Sequence, residues 1–308
     1  MQALIFEGRA DDPARALDLL RSGAVKLQPA QDHGIVTPLA QVVSSSMLLV
    51  AVELRGEISF APLVESPAPA LRFGSMAPDC LLRLREFGEC VVSAVGPIVR
   101  RRPPAIEDVI AEAVAAGDDC HARTAVANES LISRLGSLDA DCAALLRGNP
   151  SFVLPVLMAA AAAVLRSSRC DIEAIGGNGI DFGLRRRAER TWRQTAAQPP
   201  CGTRLDGLDD VTPLPAIGDS AVIDFCGLGG QALAAAPSLA TEFSRHLPAD
   251  ALTRYQVLID PRSGIVDPAR VTRSARALLI NLAILDATGT VGLIGRGFYS
   301  PPVALFHP

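Results

Sequence analysis

Lysine is almost absent from this chain of 308 residues: Lys26 is the single lysine among 29 basic residues, and the others are arginine. Lys26 does not stand in a glycine-rich phosphate-binding loop, which excludes a Walker-type nucleotide site. A lysine Schiff base would have to use this residue, which lies in a polar, loop-like stretch. The net charge is only -4, and one short basic cluster at 185–187 does not make a nucleic-acid surface.

Long apolar segments and paired cysteine motifs are also missing. The longest apolar run, 152–165, is shorter than the roughly 20 residues that span a bilayer, and Pro155 interrupts it. The N-terminal segment lacks the basic region of a signal peptide. Seven scattered cysteines without a CxxC spacing argue against a disulfide framework or a structural zinc site. We therefore expect a cytoplasmic protein with no membrane association and no cofactor.

Hydrophobic residues make up 49% of the chain, enough for a large core. The pattern predicts an α+β fold in which mixed α/β lobes flank an inserted helical subdomain. We place the first boundary at the Arg- and Pro-rich segment 101–104. The second follows Cys170, where glycines become frequent and apolar segments become short. The predicted units are an N-terminal α/β lobe (1–102), a helical lobe (103–170) and a C-terminal α/β lobe (171–308).

Local patterns predict the main elements of each lobe. A carboxylate followed by proline at Asp12-Pro13 and again at Asp267-Pro268 predicts two helix starts, with the first helix running to Ser22 and the second to about residue 279. A Pro-rich stretch lies at 66–70. The other predicted helices cover 78–100 and most of 106–168. The predicted strands are 2–8, 42–54, 58–64, 180–184, 221–225 and 255–259, with Arg55-Gly56 as a hairpin turn.

The first polar constellation is Asp32-His33-Gly34, which lies between apolar segments and is followed by Thr37 and by serines at 44–46. A histidine beside an acidic residue can act as a general acid/base or as a metal ligand. The alternative is a loop histidine that bonds the backbone, because a single histidine is a weak signal. Asp32 and His33 are therefore candidate catalytic residues.

The second constellation is GDDCHARTAVAN at 117–128, within an otherwise Ala- and Val-rich region. On a helix Asp118 would face the same side as His121 and orient its imidazole, because residues three apart are neighbours. Asp118 and His121 are candidate catalytic residues, and Arg123 and Asn128 are candidate substrate-binding residues. A solvated, charged helix face is the alternative.

Two shorter segments are weaker candidates. The stretch GGNGIDFG at 176–183 favours a tight turn, and it would also let a ligand approach the backbone beside Asn178 and Asp181. Near the C-terminus, Arg296 stands between glycines, where it could bind an anion or be a surface charge.

A glycine-rich segment at 218–231 offers a further anion site. Glycines that enter a helix leave backbone N–H groups free to hold an anion, so we expect the turn at 227–230 to be a helix N-terminus that binds one. A packing turn is the alternative, and the spacing is not that of a dinucleotide-binding fingerprint. The candidate substrate-binding residues here are Asp219, Ser220, Gly227, Gly229 and Gly230.

Taken together, these segments resemble the motifs of one family, the YlbE-type (AllG) subunits of oxamate carbamoyltransferase. The five collinear similarities are His33 to Met47 with HHGxxxPxxxxxSxSM, GDDCHARTAVANE (117–129) with GDExHxRNxAA, NGIDFGLR (178–185) with NGTEFGIR, GDSAVIDFCGLGGQALAAAP (218–237) with GDSAITETAGxGGFAMAAAP, and GLIGRGFYSPPVALF (292–306) with GQIGAGxxxxPxxCF.

This resemblance implies a transferase that converts oxalurate and phosphate to oxamate and carbamoyl phosphate, a late step of allantoin degradation in purine catabolism. It implies a small anionic substrate, an FdrA-type (AllF) partner subunit and a third subunit. Cys120 and Thr124 depart from the family's motif, which leaves a related ureido or carbamoyl substrate open.

Carbamoyl transfer needs anion-binding groups and a proton carrier. Arg123, Arg185 and Arg296 are candidates for the anions. His33 or His121 would move the proton, and we expect the two histidines to face each other across a cleft. Two other functions stay open: a non-catalytic scaffold or binding subunit of an FdrA-type complex, and an amidohydrolase whose divalent metal is bound by His33, Asp32, His121 and Asp118.

Overall fold

A computed structural model of the chain describes residues 1–63, 71–74, 77 and 79–308. The Pro-rich stretch 66–70, the last residue of the predicted strand 58–64 and the predicted helix start at Pro78 lie outside the described residues. Helices and antiparallel sheets occur together, so the predicted α+β class is confirmed. None of the described helices is both long and apolar enough to cross a bilayer.

Twelve α-helices occur in the described part of the chain: α1 Gln2–Phe6, α2 Pro13–Arg21, α3 Cys80–Cys90, α4 Gly96–Arg101, α5 Ile106–Ala115, α6 Ala125–Leu135, α7 Ala140–Arg147, α8 Leu154–Ser167, α9 Ala221–Phe225, α10 Pro237–Glu242, α11 Arg254–Leu258 and α12 Pro268–Ser274. A π-helical segment, Val91–Val95, joins α3 to α4. Short 3-10 turns include Ala30–His33, Pro38–Ala40 and Gly229–Gln231.

The strands form three antiparallel sheets, with orders β1-β2, β5-β4-β3-β7 and β6-β9-β8. The described strands are β1 Leu49–Leu54, β2 Glu57–Pro62, β3 Ile172–Asn178, β4 Asp181–Arg186, β5 Arg193–Ala196, β6 Cys201–Arg204, β7 Ile217–Gly218, β8 Ile280–Leu285 and β9 Leu293–Tyr299. The predicted β1–β2 hairpin turns at Arg55-Gly56, where both residues have positive φ, as a tight two-residue hairpin requires.

The central helix α8 is buried along most of its length because its residues are almost all Ala, Leu, Val and Met. It packs against β1, β2, β3 and α9. One core cluster draws residues from all three predicted units, including Phe87, Leu157 and Phe225. The division into three lobes stays a prediction.

Helix starts were predicted best, because their caps are local. Asp12 Oδ1 accepts from the Arg15 N–H at 2.8 Å, and Asp267 Oδ1 accepts from the Ala269 N–H at 2.8 Å. The helix after Asp267 ends at Ser274 rather than near residue 279. The four helices predicted between 106 and 168 are present.

Three predicted strands are wrong. Segments 2–8, 221–225 and 255–259 contain short helices instead, α1, α9 and α11. An apolar run of about five residues fits a buried strand or a buried helical turn equally well, and in α9 all five residues are buried. The strand predicted at 42–54 begins only at Leu49, and the sequence reading missed most strands after residue 170.

Candidate ligand cavity

A cavity of about 880 Å³ lies between the loop segment 26–49 and the sheet that contains β3 and β4. We call it the large cavity. It brings together His33, Asn178, Asp181 and Asp219, which come from three separate sequence motifs. Its other polar side chains are those of Lys26, Gln28, Thr37, Gln41, Ser44, Ser45, Trp192 and Gln194.

Asp219 is held through both of its carboxylate oxygens. Its Oδ1 accepts from Gln31 Nε2 at 2.8 Å, and its Oδ2 accepts from the Thr37 N–H and hydroxyl, each at 2.9 Å. Burial raises the pKa of the Asp219 carboxyl, and the donors on Thr37 and Gln31 act in the opposite direction. The carboxylate thus fixes the loop segment on the sheet while it lines the cavity.

Gln31 also binds the neighbouring strand. Its Nε2 donates to the Ile175 carbonyl at 3.0 Å, and its Oε1 accepts from the Ile175 N–H at 3.2 Å. Gly176 lies beside this contact, because a Cβ there would be 2.9 Å from Asp219 Oδ1. A larger residue at 176 would separate the loop segment from the sheet, so this glycine serves close packing.

The Asn178 side chain shapes the turn between β3 and β4. Its Oδ1 accepts from the N–H groups of Ile180 and Asp181 at 2.9 and 2.7 Å, and Gly179 has φ +84°. Such side-chain bonding to the following backbone is typical of an Asn-Gly turn. The predicted turn is therefore present; Asn178 and Asp181 also line the large cavity, and their contact with a ligand stays a prediction.

The candidate catalytic residues Asp32 and His33 bind different partners. His33 is exposed and its Nε2 lies 3.0 Å from Gln28 Oε1. Asp32 Oδ1 instead accepts from Trp192 Nε1 at 2.9 Å and from Arg185 Nη1. The reason is geometric, because the 3-10 turn directs the two adjacent side chains to different partners.

A second polar centre lies in the interior, around His121. His121 Nδ1 is 2.8 Å from Asp224 Oδ2, and the side chains are 8% and 0% exposed. Burial lowers the pKa of His121, whereas the Asp224 and Asp119 carboxylates raise it. The carboxylates have the larger effect, so the pKa lies above its ordinary value. Asp224 Oδ1 accepts from the N–H groups of Gly230 and Asn281 at 2.7 and 3.0 Å.

The predicted helical pairing of Asp118 with His121 is wrong, because residues 117–124 form a loop between α5 and α6. Asp118 Oδ2 accepts from the N–H groups of Val126 and Ala127 at 2.8 and 3.1 Å and so caps the first turn of α6. Asp119 stabilises the loop itself, because its Oδ1 accepts a hydrogen bond from the Arg123 N–H at 2.8 Å. The alternative of a solvated helix face is also wrong, since both carboxylates are buried.

The structure does not bring His33 and His121 together in any described cavity. His33 lines the large cavity at the surface, whereas His121 contacts Asp224 in the interior and does not line the large cavity. Among the described residues, no group of three or more His, Cys, Asp or Glu side chains could hold a metal ion. The predicted four-residue metal site is therefore not formed.

The glycine turn at 227–230 does not offer a free anion site. The N–H groups of Gly227, Gly229 and Gly230 donate to Asp224 O, Asp119 O and Asp224 Oδ1 at 3.2, 2.7 and 2.7 Å. The turn leads into a three-residue 3-10 segment rather than an α-helix. The packing alternative is correct, because a Cβ at Gly230 would lie 2.3 Å from the Leu279 carbonyl oxygen.

The remaining candidate residues lie apart from the large cavity. Asn128 is buried, with Nδ2 donating to the Leu146 carbonyl at 3.2 Å and Oδ1 accepting from the Val153 N–H at 3.1 Å, so it joins α6 to the neighbouring helices. Arg123 Nη2 binds Glu242 Oε2 at 2.9 Å. Ser220 is buried, and Arg296 is exposed on β9.

Sequence reasoning missed Gln31, Trp192 and Gln194. A single tryptophan in a chain with 4% aromatic residues was the available signal for Trp192. Gln31 and Gln194 carried no signal, because amide side chains are common in loops and on exposed strand faces.

Fold and cavity together define an α+β protein with a polar ligand-sized cavity between a long loop segment and an antiparallel sheet. The sequence model of the family described as oxamate carbamoyltransferase subunit AllG matches residues 25–220, which include all four motif residues of the large cavity. The chain belongs to the AllG family.

Similar proteins agree with this membership. The chain is 28% identical over 345 residues to the oxamate carbamoyltransferase subunit AllG of Escherichia coli K12, covering 99% of this chain and 82% of that protein. It is 29% identical over 344 residues to the uncharacterised protein YahG of the same organism, covering 99% and 72%. A crystal structure of a conserved protein of unknown function from Enterococcus faecalis V583 matches with a TM-score of 0.84 at 25% identity, covering 99% and 81%.

Proposed function

We propose that the chain is a subunit of an oxamate carbamoyltransferase-like enzyme and that the large cavity binds the ureido or carbamoyl substrate. The observation that carries this proposal is the convergence of three family-like motifs, at 33–47, 178–185 and 218–237, on one cavity. The cavity wall is rich in amide, hydroxyl and carboxylate groups, which match the N–H and C=O groups of a ureide.

The proposed reaction breaks the bond between the oxamate nitrogen and the carbamoyl carbon of oxalurate. A phosphate oxygen forms the new bond to that carbon, and the proton of hydrogen phosphate passes to the departing nitrogen. His33 is our candidate for this proton transfer, because it is the one predicted catalytic residue that lines the large cavity. We propose no cofactor for this step.

A non-catalytic binding subunit is the second candidate function. It is favoured by the fate of the other predicted catalytic residues: Asp32 binds Arg185 and Trp192, Asp118 caps α6, and His121 is buried against Asp224. In this case the chain would hold the ureide while a partner subunit performs the chemistry. We propose an FdrA-type subunit as that partner, with a third subunit, in the cytoplasm.

The test combines binding and turnover. Oxalurate is titrated calorimetrically into the chain, and carbamoyl phosphate formation from oxalurate and phosphate is then measured with the chain alone and with an FdrA-type partner. The variants are His33→Gln and, as a matched control outside the cavity, His246→Gln.

We expect oxalurate to bind the chain and turnover to fall at least about tenfold in His33→Gln, with His246→Gln unchanged. Tight oxalurate binding with normal turnover by His33→Gln would favour the binding subunit. Absence of oxalurate binding with and without the partner would contradict both functions.

A further inference from the structure

A smaller polar cavity of about 380 Å³ lies beside the large cavity. His33 lines both cavities. A second link is the bond from Trp192, which lines the large cavity, to Asp32, which lines the small one. The two spaces therefore share a wall built from one short loop and one tryptophan.

Two arginines from different elements line the small cavity: Arg166 at the end of α8 and Arg185 on β4. Among the described residues, no arginine lines the large cavity, and Lys26 is its lysine. Guanidinium groups are the usual donors to carboxylate and phosphate oxygens. The amide and hydroxyl groups that suit a ureide thus line the large cavity, and the arginines that suit an anion line the small cavity beside it.

Arg185 is already oriented. Its Nε donates to Glu173 Oε1 at 2.9 Å and its Nη1 to Asp32, which leaves Nη2 without a hydrogen bond among the described residues. The two carboxylates therefore fix the orientation of Arg185 and more than offset its charge, but they do not use its Nη2 donors.

Arg166 is held more loosely: its one ion pair with the described residues is the contact of Nε with Glu57 Oε2 at 3.5 Å. Its guanidinium lies over Gly34, where a Cβ would be 2.8 Å from Arg166 Nη1. Gly34 has φ +74°, so glycine suits both the backbone and the close approach. Arg166 is thus placed at the small cavity, and the part of the chain that the structure describes makes no hydrogen bond to its terminal nitrogens.

We propose that the small cavity binds the anionic group of the ligand, a carboxylate or phosphate, through Arg166 and Arg185, while its neutral ureido group occupies the large cavity. This assignment deepens the proposed function and rests on it for the identity of the ureide. Arg166 is then a specificity residue: it selects ligands with a negative charge at one end. His33 lies between the two groups.

The experiment uses three probes on the full chain: inorganic phosphate, oxalurate, and oxaluramide, in which an uncharged amide replaces the carboxylate. Arg166→Met is compared with Arg134→Met, a control arginine that pairs with Asp108 and Glu112 and does not line either cavity. Gly34→Ala is a second variant, which displaces the Arg166 guanidinium without removing its charge.

We expect Arg166→Met and Gly34→Ala to weaken phosphate and oxalurate binding at least about tenfold and to leave oxaluramide affinity unchanged. Arg134→Met should bind all three probes like the parent chain. Phosphate or oxalurate affinity that survives Arg166→Met, or an equal loss for oxaluramide, would overturn the anion assignment. A third outcome separates the two proposals: the chain binds neither oxalurate nor oxaluramide, but it binds phosphate and needs Arg166 to do so. This outcome would support the anion site and contradict the proposed function.

Discussion

His121 Nδ1 and Asp224 Oδ2 lie 2.8 Å apart in the protein interior, where they join the loop before α6 to helix α9. A buried charge pair of this kind is costly to break, because removal of one partner leaves the other charge unpaired. This contact, which the sequence did not predict, leads to the first two predictions.

His121→Ala should lower the free energy of unfolding by about 3 kcal/mol, because Asp224 would remain buried without its cation. The double variant His121→Ala/Asp224→Asn should recover part of this loss. Urea unfolding of the four forms of a double-mutant cycle measures the coupling. Purely additive losses would show that the two side chains do not interact.

Stability should also depend on pH through His121. Its pKa in the folded chain is raised above the ordinary value of 6.5, so the stabilisation is full below that value and is lost as the pH rises through the folded pKa. Neighbouring Cys120 does not titrate in this range, because burial, with Asp119 and Asp118, raises its pKa to about 12. Urea unfolding from pH 6 to 9 should therefore show a decline that His121→Gln removes; an equal decline in that variant would contradict the assignment.

Gly229→Ala should destabilise the chain rather than remove an anion. A Cβ at 229 would lie 2.2 Å from Asp224 Oδ1, and φ is +55°. Gly207→Ala is the matched control, because its φ is +75° but nothing lies within 4 Å of its Cβ position. We expect Gly229→Ala to cost about 2 kcal/mol more than the control in thermal or urea unfolding. Equal costs would mean that the close approach to Asp224 does not matter.

Asp118→Ala should destabilise α6 by about 2 kcal/mol, since the part-buried Val126 N–H and the buried Ala127 N–H lose their acceptor. Asp118→Asn retains one acceptor oxygen and should lose less. Because Asp118 does not line the large cavity, both folded variants should bind oxalurate with the affinity of the parent chain. A loss of oxalurate affinity without a loss of stability would support the earlier prediction that Asp118 is a catalytic residue.

The sequence predicted those features that depend on local chemistry. Asp12 and Asp267 cap the helices where expected, and the Arg55-Gly56 turn joins β1 to β2. The helical identity of α9 was not predictable from five apolar residues, because its conformation depends on burial against α8 and β3.

The same limit applies to the site. His33, Asn178 and Asp219 could be chosen from their motifs, and they do line one cavity. Their motifs contain no information on distance, so the partner of His121 was assigned to the nearby Asp118 instead of Asp224, which is 103 positions further along the chain. Arg166 lies in an apolar helix outside every motif, and only the fold places it beside Gly34.

The double contact of Gln31 with Ile175 determines which local opening exposes the Ile175 amide. The Ile175 amide proton is held by a side chain of the loop segment and not by an adjacent strand. Release of residues 26–49 therefore exposes this amide and opens one wall of the large cavity without breaking the β3–β4 ladder. Hydrogen exchange at the Ile175 amide follows release of this segment, while exchange at amides bonded within the β3–β4 ladder follows opening of the sheet. A single amide thus reports the opening of the large cavity separately from the opening of the sheet.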